Sequence, residues 1–456
     1  MSSSRPCPDR LNVLLIGGGG REHALAWRLK QSPRLGRLWV DPGANAGLAA
    51  LGHRCPEPIS GRELFRLNRW CDREGIGLVV IGPEAPLAEG WADELASESR
   101  VVFGPTKDAA RLEADKAWSK DIMRAGSIPT AEGRAFTRLD QALAFAETRE
   151  EGCVVKASGL AAGKGVVVCD TPEEAVAAVE RIMGTDVERP GRGEFGDAGT
   201  TIVIEEKLLG QEMSVLALVD GRSIWVLDPC QDHKQVGEGD VGPNTGGMGA
   251  YCPTPLATDE VMREIERDVL VPTIDALRRE GITYRGVLYA GLMLTANGPK
   301  VLEFNCRFGD PECQPLMTRL RGDLLEVLWA TAAGRLDDLA SSERGLESDP
   351  RTACCVVLCA EGYPGSVRKG QRIEGIEAAE ALGGDDEEVV VFHAGTTTDD
   401  EGRLVSNGGR VLGITALAAD LERAQALANE AADLIELPGG FFRRDIGGRV
   451  LPSTSE

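Results

Sequence analysis

Residues 11–32 read LNVLLIGGGGREHALAWRLKQS. The run Leu11–Ile16 is wholly apolar but for Asn12, it stops at four glycines, Gly17–Gly20, and beyond them Ala24, Leu25 and Leu29 recur at helical spacing. That is a strand, a glycine turn and a helix, the opening unit of an α/β protein. Working outward, the same alternation recurs: a strand at Arg37–Val40 precedes Asp41, one at Leu78–Ile81 precedes GPEAPL, and one at Arg100–Phe103 precedes GPT. Strands alternating with helices predict a parallel sheet with its ligand site at the strands' carboxyl ends. This first domain is expected to close near residue 109.

Downstream the pattern changes. A single helix is predicted over Asp108–Ala125. Next come a strand at Cys153–Lys156, a glycine loop, a strand at Val166–Cys169 and a helix at Pro172–Met183, together a compact α+β unit. Residues 184–199, GTDVERPGRGEFGDAG, read as a mobile surface loop. Thr201–Leu208 is a strand with Met213–Gly221 as its hairpin partner, followed by a long loop from Cys230 to Tyr251 and a helix near Val261–Arg279. Val287–Asn305 contains a strand pair, and the acidic residues 337–350 form a linker. Strands near 353–360, 388–393 and 410–416 and a helix over about 419–436 complete the chain.

Composition narrows the function classes. With 456 residues, several domains are expected at roughly 100 to 200 residues each. The net charge of −22 argues against a nucleic-acid surface. Twelve cysteines without a CxxC, and only four histidines, point to reduced thiols and away from a structural zinc site. The first ten residues lack an apolar leader, and no apolar run reaches the eighteen or so residues of a membrane span. A soluble cytoplasmic protein is expected.

Chemistry is concentrated in four places. The first glycine turn does not fit G-x-G-x-x-G, because Glu22 and His23 stand where the last glycine is required. A nicotinamide site, with Asp41 on a ribose, is therefore the weaker reading. A phosphate or sugar phosphate at the helix N-terminus is the stronger one. The second place, Lys156–Val166, reads KASGLAAGKGV and lacks the spacing and Ser/Thr of a Walker loop. What remains is a flexible hairpin able to close backbone N–H groups and Lys164 over a polyphosphate, beside Lys156. Lysines number only 10 against 40 arginines, so two in this short span stand out. Third, Glu205–Glu212 leaves an apolar strand, where backbone can meet an adenine edge and Glu212 a ribose. Fourth, Glu303 and Asn305 alternate along a strand as hard oxygen ligands for Mg²⁺, with Arg307 and GDPE just beyond. The loop DHKQVGEGDVGPNTGGMGAY, rich in glycine, suits close approach to a small polar substrate instead of a packed core.

Taken together, GGGGREHALAW, IGPEAPL, LEADKAWSKD, KASGLAAGKGV, IEEKLLGQE, QDHK, GPNTGGMGAY, EFNCRFGDPECQ, GYPG, VFHAGT and SNGGRVLGITA resemble the glycinamide ribonucleotide synthetase family of ATP-grasp ligases, over about residues 11–447. The resemblance implies an α/β protein in three parts: a preATP-grasp parallel-sheet domain (11–109), an ATP-grasp core (110–330) whose mobile lid is about 131–200, and a C-terminal α+β domain (331–450). It implies ATP on Lys116, Lys156, Gly159, Gly163, Lys164, Gly165, Glu205, Glu206, Lys207, Leu208 and Glu212, and Mg²⁺ or Mn²⁺ on Glu303 and Asn305. Glycine and 5-phosphoribosylamine are the implied substrates. Gly17, Gly19 and Arg21 would meet the sugar phosphate, and Asp232, Lys234, Gly246, Gly247, Met248 and Arg307 the ribose and amine. Lys156, Lys164 and Arg307 are the implied catalytic groups. The product would be glycinamide ribonucleotide, made through glycyl phosphate in de novo purine (IMP) biosynthesis by a cytoplasmic monomer. Ser158 stands where some relatives carry Asp, and ERPGRGE is longer than in compact relatives. The alternatives are another ATP-grasp carboxylate–amine ligase, a nicotinamide oxidoreductase and a binding protein without turnover.

Overall fold

The strand Leu11–Ile16 is buried on both faces. Val13 and Leu15 pack with Ala24, Leu25 and Leu29 of the following helix, Gly20–Leu29, whereas Leu14 and Ile16 pack with Leu67, Trp70 and Leu87. Burial on both faces is what a parallel sheet demands. In the computed structural model, which describes residues 6–161, 163–186, 193–340 and 345–451, five parallel strands run in the order 53–54, 35–40, 11–16, 76–81, 101–103. Strand order reverses direction at Leu11–Ile16, so Gly17 opens the crevice at the switch point.

The helix expected over 108–125 is two helices, Lys107–Ala114 and Lys116–Ala125. Asp115 takes extended backbone between them, and its carboxylate accepts from the Trp118 N–H at 3.1 Å. An N-cap of this kind stabilises a new helix start by about 1 kcal/mol, enough to interrupt a pattern that is otherwise periodic.

Two antiparallel sheets follow. One contains Gly133–Phe136, Ile202–Glu206, Cys153–Ala157 and Val166–Cys169, backed by helices Leu139–Ala146 and Pro172–Met183. The other contains Ile224–Val226, Gln211–Val219, Gly286–Thr295 and Gly298–Asn305. Ile202–Glu206 and Gln211–Val219 are therefore not hairpin partners: residues 207–210 cross from one sheet to the other. The expected loop at 184–199 falls partly outside the described residues. Its described end is anchored, with a 3₁₀ turn at Gly196–Gly199 and the Glu194 N–H donating to Arg181 O at 2.9 Å.

The loop expected over Cys230–Tyr251 carries short strands, and two of them, Gln231–Asp232 and Gly249–Cys252, join the C-terminal sheet. That sheet runs 231–232, 249–252, 352–359, 410–418, 388–393, with helix Leu421–Asp433 on one face. The expected linker also contains structure: Glu347–Ser348 pairs with Leu320–Arg321. Among the described residues, no helix is long and apolar enough to cross a membrane.

Candidate active site

A cavity of ≈ 390 Å³ lies between the two antiparallel sheets and reaches toward the C-terminal one. Strand parity builds its first wall. Cys153, Val155 and Ala157 enter the core of their own sheet, so Val154 and Lys156 face the cavity. The opposite wall is Gly298–Asn305, where the register against Gly286–Thr295 shifts near Leu302. Val301 and Phe304 pack in the core, while Leu302, Glu303 and Asn305 line the cavity. Val154, Val166, Leu208, Met293 and Leu302 make one part apolar, beside the backbone of the 207–210 crossing.

Fixed charge fills the middle. Lys156 donates to Leu302 O at 2.9 Å and forms an ion pair with Glu205. Glu205 is 2.6 Å from Lys120, whose ammonium also donates to Thr130 Oγ1 and Ala131 O. Burial holds the Lys120 pKa below its ordinary value despite Glu205. Lys116 lines the cavity from the start of its helix, where its backbone N–H donates to Ser158 O. The Ser158 hydroxyl donates to Asp115 and accepts from the Ala117 N–H, each at 2.9 Å. Ser158 therefore ties the lysine-bearing helix to the sheet.

Carboxylates and cations alternate further in. Lys234 pairs with Glu212 at 2.7 Å. Burial alone would depress the lysine, yet Glu212, Asp232 and Glu303 outweigh it and hold the ammonium well above its ordinary pKa. Burial would likewise raise Glu303, but Lys234, Lys116, Lys156 and Arg307 keep it ionised. Asp232 goes the other way: burial dominates, Glu312 and Glu212 add to it against Lys234, and its pKa rises to about 7. Arg307 is 3.1 Å from Glu113, while its Nε, 3.5 Å from Glu84, makes no hydrogen bond among the described residues.

Of the residues expected at the site, Lys116, Lys156, Gly163, Gly165, Glu205–Leu208, Glu212, Asp232, Lys234, Gly246, Glu303, Asn305 and Arg307 line this one cavity. Others do not. The Gly159 N–H is used by Ala198 O at 3.0 Å, and a Cβ there would meet Ala198, so this glycine serves packing. Lys164 reaches across to Pro364 O at 3.5 Å. Met248 is fully buried in the C-terminal core against Cys359, and Gly247 packs on Pro311. Gly17, Gly19 and Arg21 lie outside the lining. The Gly17 N–H is taken by Asp41 at 3.2 Å, the Gly19 N–H by Glu22 at 2.8 Å, and Arg21 donates from Nε to Glu22 and from Nη1 to Phe308 O.

Sequence reasoning missed Lys120, Glu84, Glu113 and Tyr289, and it noted Asp310 and Glu312 of the GDPE turn without giving either a role. Tyr289 donates to Glu312 Oε1 at 2.7 Å and is 2.7 Å from Ser214 Oγ. A buried Glu or Lys on a regular element needs a distant partner. That partner is visible only once the sheets are assembled.

An apolar slot beside free-running backbone, fixed lysines, and paired oxygen donors together suit a nucleoside polyphosphate with a divalent cation. Three family models match in order: the N domain of phosphoribosylglycinamide synthetase at residues 11–113, its ATP-grasp (A) domain at 114–313 and its C domain at 353–449. The chain belongs to the phosphoribosylglycinamide synthetase family. It is 46% identical over 450 residues to the phosphoribosylamine–glycine ligase of Rhodopirellula baltica, covering 97% of this chain and 98% of that one. It is 46% identical over 440 residues to the human trifunctional purine biosynthetic protein adenosine-3, covering 96% of this chain and 42% of that one. The crystal structure of phosphoribosylamine–glycine ligase from Thermotoga maritima superposes with a TM-score of 0.77 at 32% identity, covering 96% of this chain and all of that one. In this phosphoribosylglycinamide synthetase chain the cavity lies where the ATP-grasp domain closes on itself, and both of its walls fall within residues 114–313.

Proposed function

We propose that this chain is an ATP-dependent ligase that joins glycine to 5-phosphoribosylamine, giving glycinamide ribonucleotide, ADP and phosphate in purine biosynthesis. The observation that carries the reading is the cavity itself: Lys156, Glu303 and Asn305 face one space with Asp232, Lys234 and Arg307, in a chain that matches the family over all three domains. Adenine takes the slot made by Val154, Val166, Leu208, Met293 and Leu302, and Glu212 meets the ribose.

Glu303 is kept ionised by four cations and Asn305 is nearly buried, so their oxygens fit a divalent cation such as Mg²⁺ or Mn²⁺. When bound, that ion supplies positive charge to the phosphate oxygens. The chain's residues do the rest. Lys156 and Lys116 hold the triphosphate while a glycine carboxylate oxygen attacks the γ-phosphorus, releasing ADP and forming glycyl phosphate. The phosphoribosylamine nitrogen then attacks the acyl carbon and phosphate leaves. Arg307, whose guanidinium lines the cavity, holds anionic oxygens through both steps. Neither step needs a nucleophile on the protein; both rest on placement and on excluding water from the acyl phosphate.

The test is phosphate release with ATP, Mg²⁺, glycine and freshly generated phosphoribosylamine. Release that requires both substrates is expected. Release that ignores either one sinks the reading.

A further inference from the structure

The C-terminal motifs GYPG, VFHAGT and SNGGR contribute no residue to the cavity lining, yet Tyr363 of the first and Arg410 of the last reach its wall. Arg410, the first residue of strand 410–418, donates from Nη1 to the backbone oxygens of Gly246 and Asp310, the latter at 2.6 Å, and from Nη2 to Asp310 Oδ2 at 2.9 Å. The Tyr363 hydroxyl accepts from the Gly246 N–H at 3.0 Å. Both peptide groups of Gly246 are thus held by the C-terminal domain, and Asp310 is held by main chain and side chain together. Gly246 and Asp310 line the cavity; Arg410 and Tyr363 do not.

Glycines in these motifs, with Gly247 beside Gly246, make the close approach sterically possible. A Cβ on Gly409 would lie 2.4 Å from the Tyr363 ring, one on Gly395 would lie 2.6 Å from the Gly408 Cα, and one on Gly247 would lie 2.4 Å from Pro311 Cδ. The remaining Asp310 oxygen accepts from Gln314 Nε2 at 2.8 Å. Burial would raise this carboxyl, but Arg410 and Arg21 hold it ionised. The side of the cavity built on the C-terminal sheet thus presents a fixed peptide and a fixed carboxylate. Those groups suit the hydroxyls and amine of a sugar.

We propose that Arg410 and Tyr363 are positioning residues for the sugar-amine substrate, acting by fixing the Gly246 peptide and the Asp310 carboxylate. The inference rests on the ligase reading above. A guanidinium that grips two carbonyls and a carboxylate at once cannot be replaced by a single ammonium without losing geometry.

Steady-state kinetics on the full chain test it. Arg410→Gln should raise KM for phosphoribosylamine about tenfold or more, while KM for ATP and for glycine stays within about twofold. Arg410→Lys should recover part of the loss, and Tyr363→Phe should raise the same KM by roughly threefold, the effect of one hydrogen bond. A purely structural role would instead lower Tm and kcat and leave the KM values together. That pattern, or equal rises in all three KM values, overturns the inference. If Arg410→Gln does not fold, Tyr363→Phe decides: an unchanged phosphoribosylamine KM overturns it. Wild-type protein that fails to couple phosphate release to both substrates overturns the ligase reading beneath, a result visible before any variant is made.

Discussion

Two glycine turns look alike in the sequence and behave in opposite ways. At Gly17–Gly20 much of the backbone is engaged inside the protein: Asp41 accepts from the Gly17 N–H, Glu22 accepts from the Gly19 N–H, and the Asn45 amide donates to the carbonyls of Gly18, Gly19 and His393. At Gly163 the hairpin has φ +75 and a Cβ there would meet nothing within 4 Å, while Lys156 and Glu205 stand beside it in the cavity. Glycine in the first turn lets carboxylates and a neighbouring domain approach the backbone. In the second it leaves room for a ligand.

The contrast can be broken most directly at Lys156. Lys156→Met should lower kcat/KM by about 10³-fold with little change in circular dichroism, as expected when a fixed cation is removed from phosphoryl transfer. A loss under about tenfold would show that Lys116 and Lys120 can substitute for it.

At the first turn the largest response should be in stability. Glu22 is buried, 2.6 Å from Arg21 and bonded to the Gly19 N–H. Removing one partner of such a pair costs about 3 kcal/mol, so Glu22→Ala should lower Tm by several degrees and leave KM for ATP unchanged. An ATP KM that rose as much as the Lys156 variant's would erase the distinction between the turns.

Asp232 sharpens the cavity side through pH. Its folded-state pKa of about 7 lies above the ordinary 3.8, so between those values the folded protein binds more protons than the unfolded chain. Stability from this group is therefore greatest at low pH, falls as pH rises through that window and is level above it. Asp232→Asn should gain on the order of 2 kcal/mol over wild type near pH 8 and much less near pH 5. Thermal melts at the two pH values check the sign, and equal differences would contradict it. The smallest effect belongs to Gly163→Ala, which meets no neighbour but must adopt a left-handed backbone. It should cost about 1 kcal/mol, seen as a modest rise in KM for ATP with Tm nearly unchanged.

Much of this was legible because the signals are local. Leu11–Ile16 and its glycine turn, the alternation of Glu303 and Asn305, and Lys156 with Gly163 and Gly165 of the hairpin each sit within a few residues of one another. The crossing at 207–210 was not legible. Two apolar strands joined by KLLG look like a hairpin whether or not they share a sheet, since local sequence sets the length of a connection and not its destination. Met248 misled for a related reason: its glycine-rich neighbours suggested an open loop, while its side chain completes a core supplied by strands 100 residues later. Lys120 and Arg410 carried no signal because their meaning lies in Glu205 and Asp310, far away along the chain.

The shared C-terminal sheet sets the unit in which this protein can be recombined. Gly249–Cys252 pairs with Thr352–Cys359, so a cut at any point between them leaves one strand without its neighbour. The ATP-grasp family model ends at 313, inside that interval, and the C-domain model begins at 353, within the second strand. A chimera that exchanged the last third alone would inherit mismatched edges in one hydrogen-bonded ladder. Gene fusions face no such obstacle when they carry the ensemble intact, and the human trifunctional relative aligns with 96% of this chain as one continuous block of its own greater length.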